Sequence, residues 1–257
     1  MSAIKQMFWK VWYPYITNRM GNAPLPFLNY GFWPPEGETL TLAPEDEINR
    51  AAIQLYHHVA SGDDLAGKNV LEVSCGHGGG ASFVKRYHKP KSYVAIDLNP
   101  KAIEHNRKIH HGLGIDFRTG NALNLEFPEN HFDAVINVEA SHCYPRQDEF
   151  FRSVYRVLRR GGKFLYADFR TDDTEPQVPR DLKEAGFQVK SHADITAHVL
   201  RALTRNSTRY LAIARKLAPR ILLPYMKMFA GVEGSFVYNR FVNRKYLYFS
   251  YILVKAD

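Results

Sequence analysis

The stretch VLEVSCGHGGGASF, Val70–Phe83, decides how the rest of the chain is read. Its first residues are a short run of valine and leucine, the pattern of a strand buried on both faces. Gly76, Gly78, Gly79 and Gly80 break that run, and a helix is expected to follow. Lacking a Cβ, glycine lets backbone approach a ligand where a side chain would clash, so the turn marks a place where something is held. Glycines alone do not say what.

Working outward, the same alternation recurs. A strand at SYVAID, a helix from Pro100 to His110, a strand at IDFRTG, a short connection, a strand at FDAVINV, a helix from Gln147 to Leu158 and a strand at KFLYADF follow in turn. Short apolar runs separated by helical segments predict an α/β fold, a Rossmann-like doubly wound parallel sheet with helices on both faces. Upstream, Pro44 and Glu45 open a helix with Ile48, Ala52, Leu55, Tyr56 and Val59 on one face, ending near Ser61 and Gly62. Beyond Arg170, LKEAGFQVKSHADI reads as one more helix and strand, and Thr196 to Met228 as one long helical stretch. FVNRKYLYFSYILVKAD carries the period-2 alternation of an antiparallel edge strand. The expected organisation is an aromatic and proline-rich arm over 1–44, acting as a lid, and one domain over 45–257 with a helical cap insertion at 196–228.

With 257 residues, 45% hydrophobic and 23% charged, the chain has the composition of a folded globular protein. Its net charge of +8 admits polyanions or an anionic membrane, but like charges form no long run, which favours a solvated surface. Two cysteines, Cys75 and Cys143, make no disulfide framework and no zinc spacing, so a cytoplasmic setting and no metal site are expected. The opening residues read as neither a signal peptide nor a membrane span.

In an open α/β sheet, ligands bind beyond the carboxyl ends of the strands. Glu72 precedes the glycine turn there, and an acid so placed repels the phosphates that a dinucleotide would bring. Asp97, about 20 residues on, can accept both hydroxyls of a ribose. Asn121, in GNAL after the third strand, offers an amide to an adenine edge. Together they describe a nucleoside without phosphates and a glycine bed for a zwitterionic tail.

These motifs, from ExSCGxG at Glu72–Gly78 through Asp97, GNA at Gly120–Ala122, FDAVINVEASHCYP and RVLRRGGKFLYADF, resemble in order the class I S-adenosylmethionine-dependent methyltransferases between Lys68 and Arg170. GHGGGAS with NVEASHCYP is similar to a mycobacterial subgroup that includes the phthiotriol and phenolphthiotriol dimycocerosate methyltransferases and fatty-acid O-methyltransferases. The likeness extends more thinly to WYPYITNRMGN and GVEGS. The resemblance implies S-adenosylmethionine as cofactor, with Glu72, Ser74, Gly76, Gly78, Asp97, Leu98, Asn121, Ala122, Asn137 and Tyr30 around it. Ser74 and Asn121 depart from the commonest pattern, which has glycine and aspartate there.

Methyl transfer from a sulfonium is an in-line displacement, and an alcohol acceptor needs a base. His142, just beyond the fourth strand, is the candidate; Asp168, ending the fifth, would orient it as the acid orients histidine in a serine hydrolase triad. Similar sugar-hydroxyl methyltransferases use such a pair. Glu139 supports the cofactor or the base, or steadies a carbocation as in sterol C-methyltransferases, so C-methylation of an alkene stays open beside O-methylation of a hydrophobic lipid or secondary metabolite. A non-catalytic nucleoside-binding or nucleic-acid-binding protein is the alternative of another class, although no RNA-recognition or helix-turn-helix signature is present.

His77 either touches the cofactor or faces solvent; the cysteines and the paired histidines His57, His58, His110 and His111 read as packing or surface residues. Phe8, Trp12, Tyr13, Tyr30 and Trp33 either pack on the core or line a greasy acceptor pocket. Arg201, Arg205, Arg209, Arg215 and Lys216 would favour peripheral contact with an anionic membrane, the rival being a cap helix on its own core.

Overall fold

The computed structural model describes residues 25–35, 40–217 and 219–256. The expected contributions of Phe8, Trp12 and Tyr13 lie outside them. Seven strands form one sheet: β1 (Asn69–Val73), β2 (Ser92–Asp97), β3 (Ile115–Thr119), β4 (Phe132–Val138), β5 (Leu158–Thr171), β6 (Phe187–Asp194) and β7 (Tyr246–Lys255), in the order β3-β2-β1-β4-β5-β7-β6. β1 to β5 pair in parallel; β7 is antiparallel to both β5 and β6. The expected edge strand is therefore an inner one. The edge on that side is β6, whose residues after Phe187 are almost all exposed.

The helices are α1 (Arg50–Ala60), α2 (Gly79–Tyr87), α3 (Pro100–Ile109), α4 (Gln147–Val157), α5 (Val178–Glu184), α6 (Thr196–Leu217), α7 (Leu223–Phe229) and α8 (Phe236–Val242). Ile53 and Leu55 of α1, Phe83 of α2, Ile103 of α3, Leu203 of α6 and Phe241 of α8 fill one core layer. Phe150 and Val154 of α4 and Leu182 of α5 fill the other. Local chemistry sets the ends: Asn99 caps α3 through the Lys101 N–H with Pro100 in the first turn, and Ser235 caps α8 through the Tyr238 N–H.

Three boundaries differ from expectation. Glu47–Asn49 forms a 3-10 turn before α1, which leaves Ile48 64% exposed instead of on the core face. The stretch 196–228 is two helices, parted at Pro219 and a 3-10 turn at Arg220–Leu222, because proline has no N–H to continue the ladder. Phe241 and Val242, taken with the last strand, end α8.

The chain at 25–35 lies against this core. The Gly79 N–H donates to the Pro26 carbonyl, the Phe32 N–H to Ala51 and the Trp33 N–H to His198. The buried Phe32 ring stacks between His58 and His198, at 4.6 and 4.7 Å.

Candidate active site

Strand order reverses between β1 and β4, and the predicted residues gather at the carboxyl ends around that point. After β1, Ser74 (φ +61°), Gly76 (+52°) and Gly78 (+76°) turn the chain through the left-handed region. Glycine enters it freely, whereas Ser74 carries strain where the commonest motif has glycine. Its Oγ shares a 2.5 Å hydrogen bond with the Tyr144 hydroxyl, which also accepts from Asn137 Nδ2. Gly80 has no alternative, since a Cβ there would lie 2.0 Å from the Tyr56 ring.

Asp97 accepts from the Gly76 and Asn99 N–H groups, so the ribose candidate closes over the glycine turn; burial lifts its carboxyl, partly offset by those N–H donors. Beside it Leu98 is 71% exposed, an apolar platform at the strand end. Asn121 is exposed and spends its carbonyl on the Leu123 N–H, leaving the amide NH2 to face outward; Ala122 is buried beneath it. Asn137 is fully buried, and its Oδ1 has no hydrogen-bond partner among the described residues. An orphaned acceptor beside the glycine turn suits a ligand with an ammonium donor. With no lysine or arginine from Val70 to Val84, the site fits S-adenosylmethionine better than a phosphate.

Two expectations change in detail. Glu72 is 1% exposed and accepts from the Tyr56 and Tyr93 hydroxyls, at 2.8 and 2.9 Å, beneath the turn rather than toward a ligand. Burial lifts its carboxyl to about 7 against the pull of those hydroxyls. His77 does not face solvent: it is 9% exposed and its Nδ1 bonds the Leu25 carbonyl.

Across the switch point, Val138 of β4 pairs with Ala167 of β5, so the residues that follow sit level. Glu139 turns the chain with φ +51° into a 3-10 turn, Ser141–Cys143. That turn lowers His142 onto Asp168: ring Nδ1 donates to Oδ1 and the backbone N–H to Oδ2, both at 2.8 Å. Asp168 is fully buried and also accepts from Ser141 Oγ (2.6 Å) and the Phe169 N–H (2.8 Å), with Arg170 Nη1 at 3.1 Å. Burial pushes this carboxyl up, but Arg170 and His142 outweigh it and hold it well below the carboxylate range. Burial pushes the imidazole down, and Cys143 and Asp168 more than reverse that, raising its proton affinity. With Nδ1 engaged, Nε2 is the ring nitrogen left to act.

Phe169 lies 4.3 Å from His142, ring to ring, and continues into Tyr30, Phe241, Tyr246 and Tyr248, an aromatic wall beside the imidazole. Glu139 faces the arm, accepting from the Tyr30 N–H and the Tyr248 hydroxyl, each at 2.9 Å. Tyr30 thus reaches the site through its backbone. Burial lifts the Glu139 carboxyl to about 8, against the pull of Tyr30, His142 and Tyr248. Sequence reasoning missed Tyr144, Ser141, Arg170 and Tyr248; Tyr144 and Arg170 sit inside or beside quoted motifs, so nearness in sequence was the available signal.

The arginine stripe is largely spoken for. Arg201 donates to the Pro34 carbonyl, Arg205 covers the Trp33 ring at 4.5 Å, and Arg209 binds Ile48 and Asn49. Arg201 and Arg205 thus hold the arm, and Arg209 holds the turn before α1. An open cavity of about 420 Å³ is lined by Asp46, Arg86 and His110 among others, and none of the predicted site residues lines it.

A methyltransferase-domain family model matches residues 71–166. The chain is 42% identical over 232 residues to a probable phthiotriol/phenolphthiotriol dimycocerosates methyltransferase 2 of Mycobacterium ulcerans, covering 90% of each. It is 40% identical over 235 residues to a fatty-acid O-methyltransferase of Mycolicibacterium smegmatis, covering 91% of this chain and 85% of that one. The crystal structure of the cyclase SpnF superposes with a TM-score of 0.74 over 98% of this chain and 96% of that one, at 20% identity. A likeness so distant in sequence is one of fold, and a cyclase on this fold shows that the fold does not fix the reaction.

Proposed function

The chain belongs to the family of S-adenosylmethionine-dependent methyltransferases that includes these mycobacterial lipid enzymes, and from that premise we propose that it methylates a hydroxyl of a hydrophobic acceptor, with His142 as general base and Asp168 as its positioning residue. The observation that carries this reading is the two-point clamp of Asp168 on His142 beside the aromatic wall. The clamp fixes the tautomer, aims Nε2 away from β5 and keeps an ionised carboxylate ready to balance an imidazolium. Bound S-adenosylmethionine supplies an electrophilic methyl group on a cationic sulfonium. Asp97 and Asn137 are the groups at the turn that favour such a cation or its ammonium tail. A positive charge brought near His142 works against the proton that Asp168 stabilises, which frees the ring to take the acceptor's proton.

The carbon-methylation alternative needs a negative charge at Glu139 to steady a carbocation. With its carboxyl lifted to about 8, that group is mostly neutral at neutral pH and serves the arm instead. A fatty acid, the acceptor named for one relative, would need no base, since a carboxylate is already nucleophilic. Methyl-labelled S-adenosylmethionine incubated with the protein and a lipid extract separates a hydroxyl from a carboxylate acceptor. Alkali-stable label in the organic phase, lost by about 10²-fold or more in His142→Ala while S-adenosylhomocysteine still binds, is expected of a hydroxyl acceptor. Alkali-labile label insensitive to that substitution would replace the hydroxyl by a carboxylate and retire the base.

A further inference from the structure

The chain's positive charge is not evenly spread. Between Thr196 and Lys245 there are ten lysines and arginines and a single acid, Glu233; with Arg201, Arg205 and Arg209, which are engaged within the protein, set aside, seven cations remain against that one acid. The same segment carries Ile221 at 81% exposure, Phe236 at 60%, Tyr225 at 49% and Val242 at 48%, half of the large apolar side chains that the described residues leave exposed. Its inner side belongs to the site. Phe241 of α8 packs edge-on against Tyr30 and Phe169, and a Cβ on Gly231, between α7 and α8, would lie 3.4 Å from Tyr30.

We infer that the α7–α8 segment docks on an anionic lipid bilayer, with Ile221 and Phe236 entering the interface and the surrounding cations facing lipid headgroups. This rests on the reading of a hydrophobic acceptor, which would then reach the aromatic wall from the bilayer through the same two short helices. Exposed apolar side chains interspersed in sequence with cations, on elements too short to span, are what an interfacial surface requires. Arg215 and Lys216 are exposed, and the pairs Arg244–Asp194 and Lys245–Asp172 are solvent-exposed and weak enough to exchange for headgroups. A second copy of the chain is the poorer occupant, because a two-fold contact would set this cationic segment against itself.

The full-length protein is sedimented with phosphatidylglycerol–phosphatidylcholine vesicles and with phosphatidylcholine alone. Binding about tenfold or more tighter to the anionic vesicles, weakened by salt, is expected. Ile221→Asp with Phe236→Asp should lower it by about tenfold, as should Arg215→Glu with Lys216→Glu, while S-adenosylhomocysteine binding, which reports the fold, is unchanged. No vesicle binding at low salt, equal binding to both vesicles, or a soluble dimer that Ile221→Asp dissociates would each overturn the inference. So would binding to duplex DNA as tight as to vesicles and indifferent to the apolar substitutions. Vesicle binding needs no turnover, so its failure leaves the hydroxyl reading standing, and failure of label transfer leaves docking standing.

Discussion

Asp168 and Glu139 follow paired residues on neighbouring strands, yet their surroundings set them to opposite charge states. Asp168 meets two N–H groups, the His142 ring, a serine hydroxyl and an arginine, and stays ionised though no water reaches it. Glu139 meets one N–H and one tyrosine hydroxyl, which do not repay its burial. One sheet end therefore holds a fixed negative charge under His142 beside a mostly neutral carboxyl bonded to the arm. Partners, more than burial, decide which is which.

The largest effect should come from making the first acid resemble the second. Asp168→Asn keeps the volume but cannot accept both the ring N–H and the backbone N–H while balancing Arg170. Turnover is expected to fall by about 10³-fold or more, with S-adenosylhomocysteine affinity changed little. Loss of less than about tenfold would remove Asp168 from the mechanism. The pH profile sharpens the same point. The imidazole must be neutral to accept a proton, and Asp168 raises its proton affinity, so the free enzyme's rate climbs with pH through a limb above histidine's ordinary 6.5. In Asp168→Asn the residual activity should show that limb at lower pH.

How far this pairing could be read beforehand follows from the register. Parallel pairing of Val138 with Ala167 brings Glu139 level with Asp168, and the short turn after Glu139 returns His142 to it, so the pair was legible from its place beyond neighbouring strand ends. So was Asp97. The tyrosines that hold the acids were not: a buried tyrosine fills a core position whether or not its hydroxyl finds a carboxylate, and Tyr56, Tyr93 and Tyr248 look like ordinary core residues in sequence. The arm's latch was hidden for another reason, since Tyr30 reaches Glu139 through its backbone, across 109 residues. Period-2 alternation, likewise, cannot say whether β7 lies at the edge or inside.

A smaller effect tests the neutral latch. A carboxyl whose pKa rises from 4.5 to about 8 on folding binds more protons when folded, so its penalty is absent below 4.5 and grows as pH rises toward 8. Glu139→Gln keeps an acceptor for Tyr30 and Tyr248 and cannot ionise. It should raise stability by an amount on the order of 3 kcal/mol at pH 7, a gain that vanishes near pH 4. Thermal unfolding at the two pH values measures it; a loss of stability at pH 7 would mean that Glu139 is held ionised after all.

The smallest effect lies at Ser74, where strain and a hydrogen bond oppose each other. Ser74→Gly removes a side chain held at φ +61° and gives up the bond to Tyr144, and these changes, each about 1 kcal/mol, nearly cancel. Ser74→Ala gives up the same bond and keeps the strain. Glycine should therefore be the better tolerated of the two by about 1 kcal/mol in denaturant unfolding, the reverse of their order in a helix. If alanine is the better tolerated, the turn is not under strain at this position, and the departure from glycine needs no hydrogen bond to offset it.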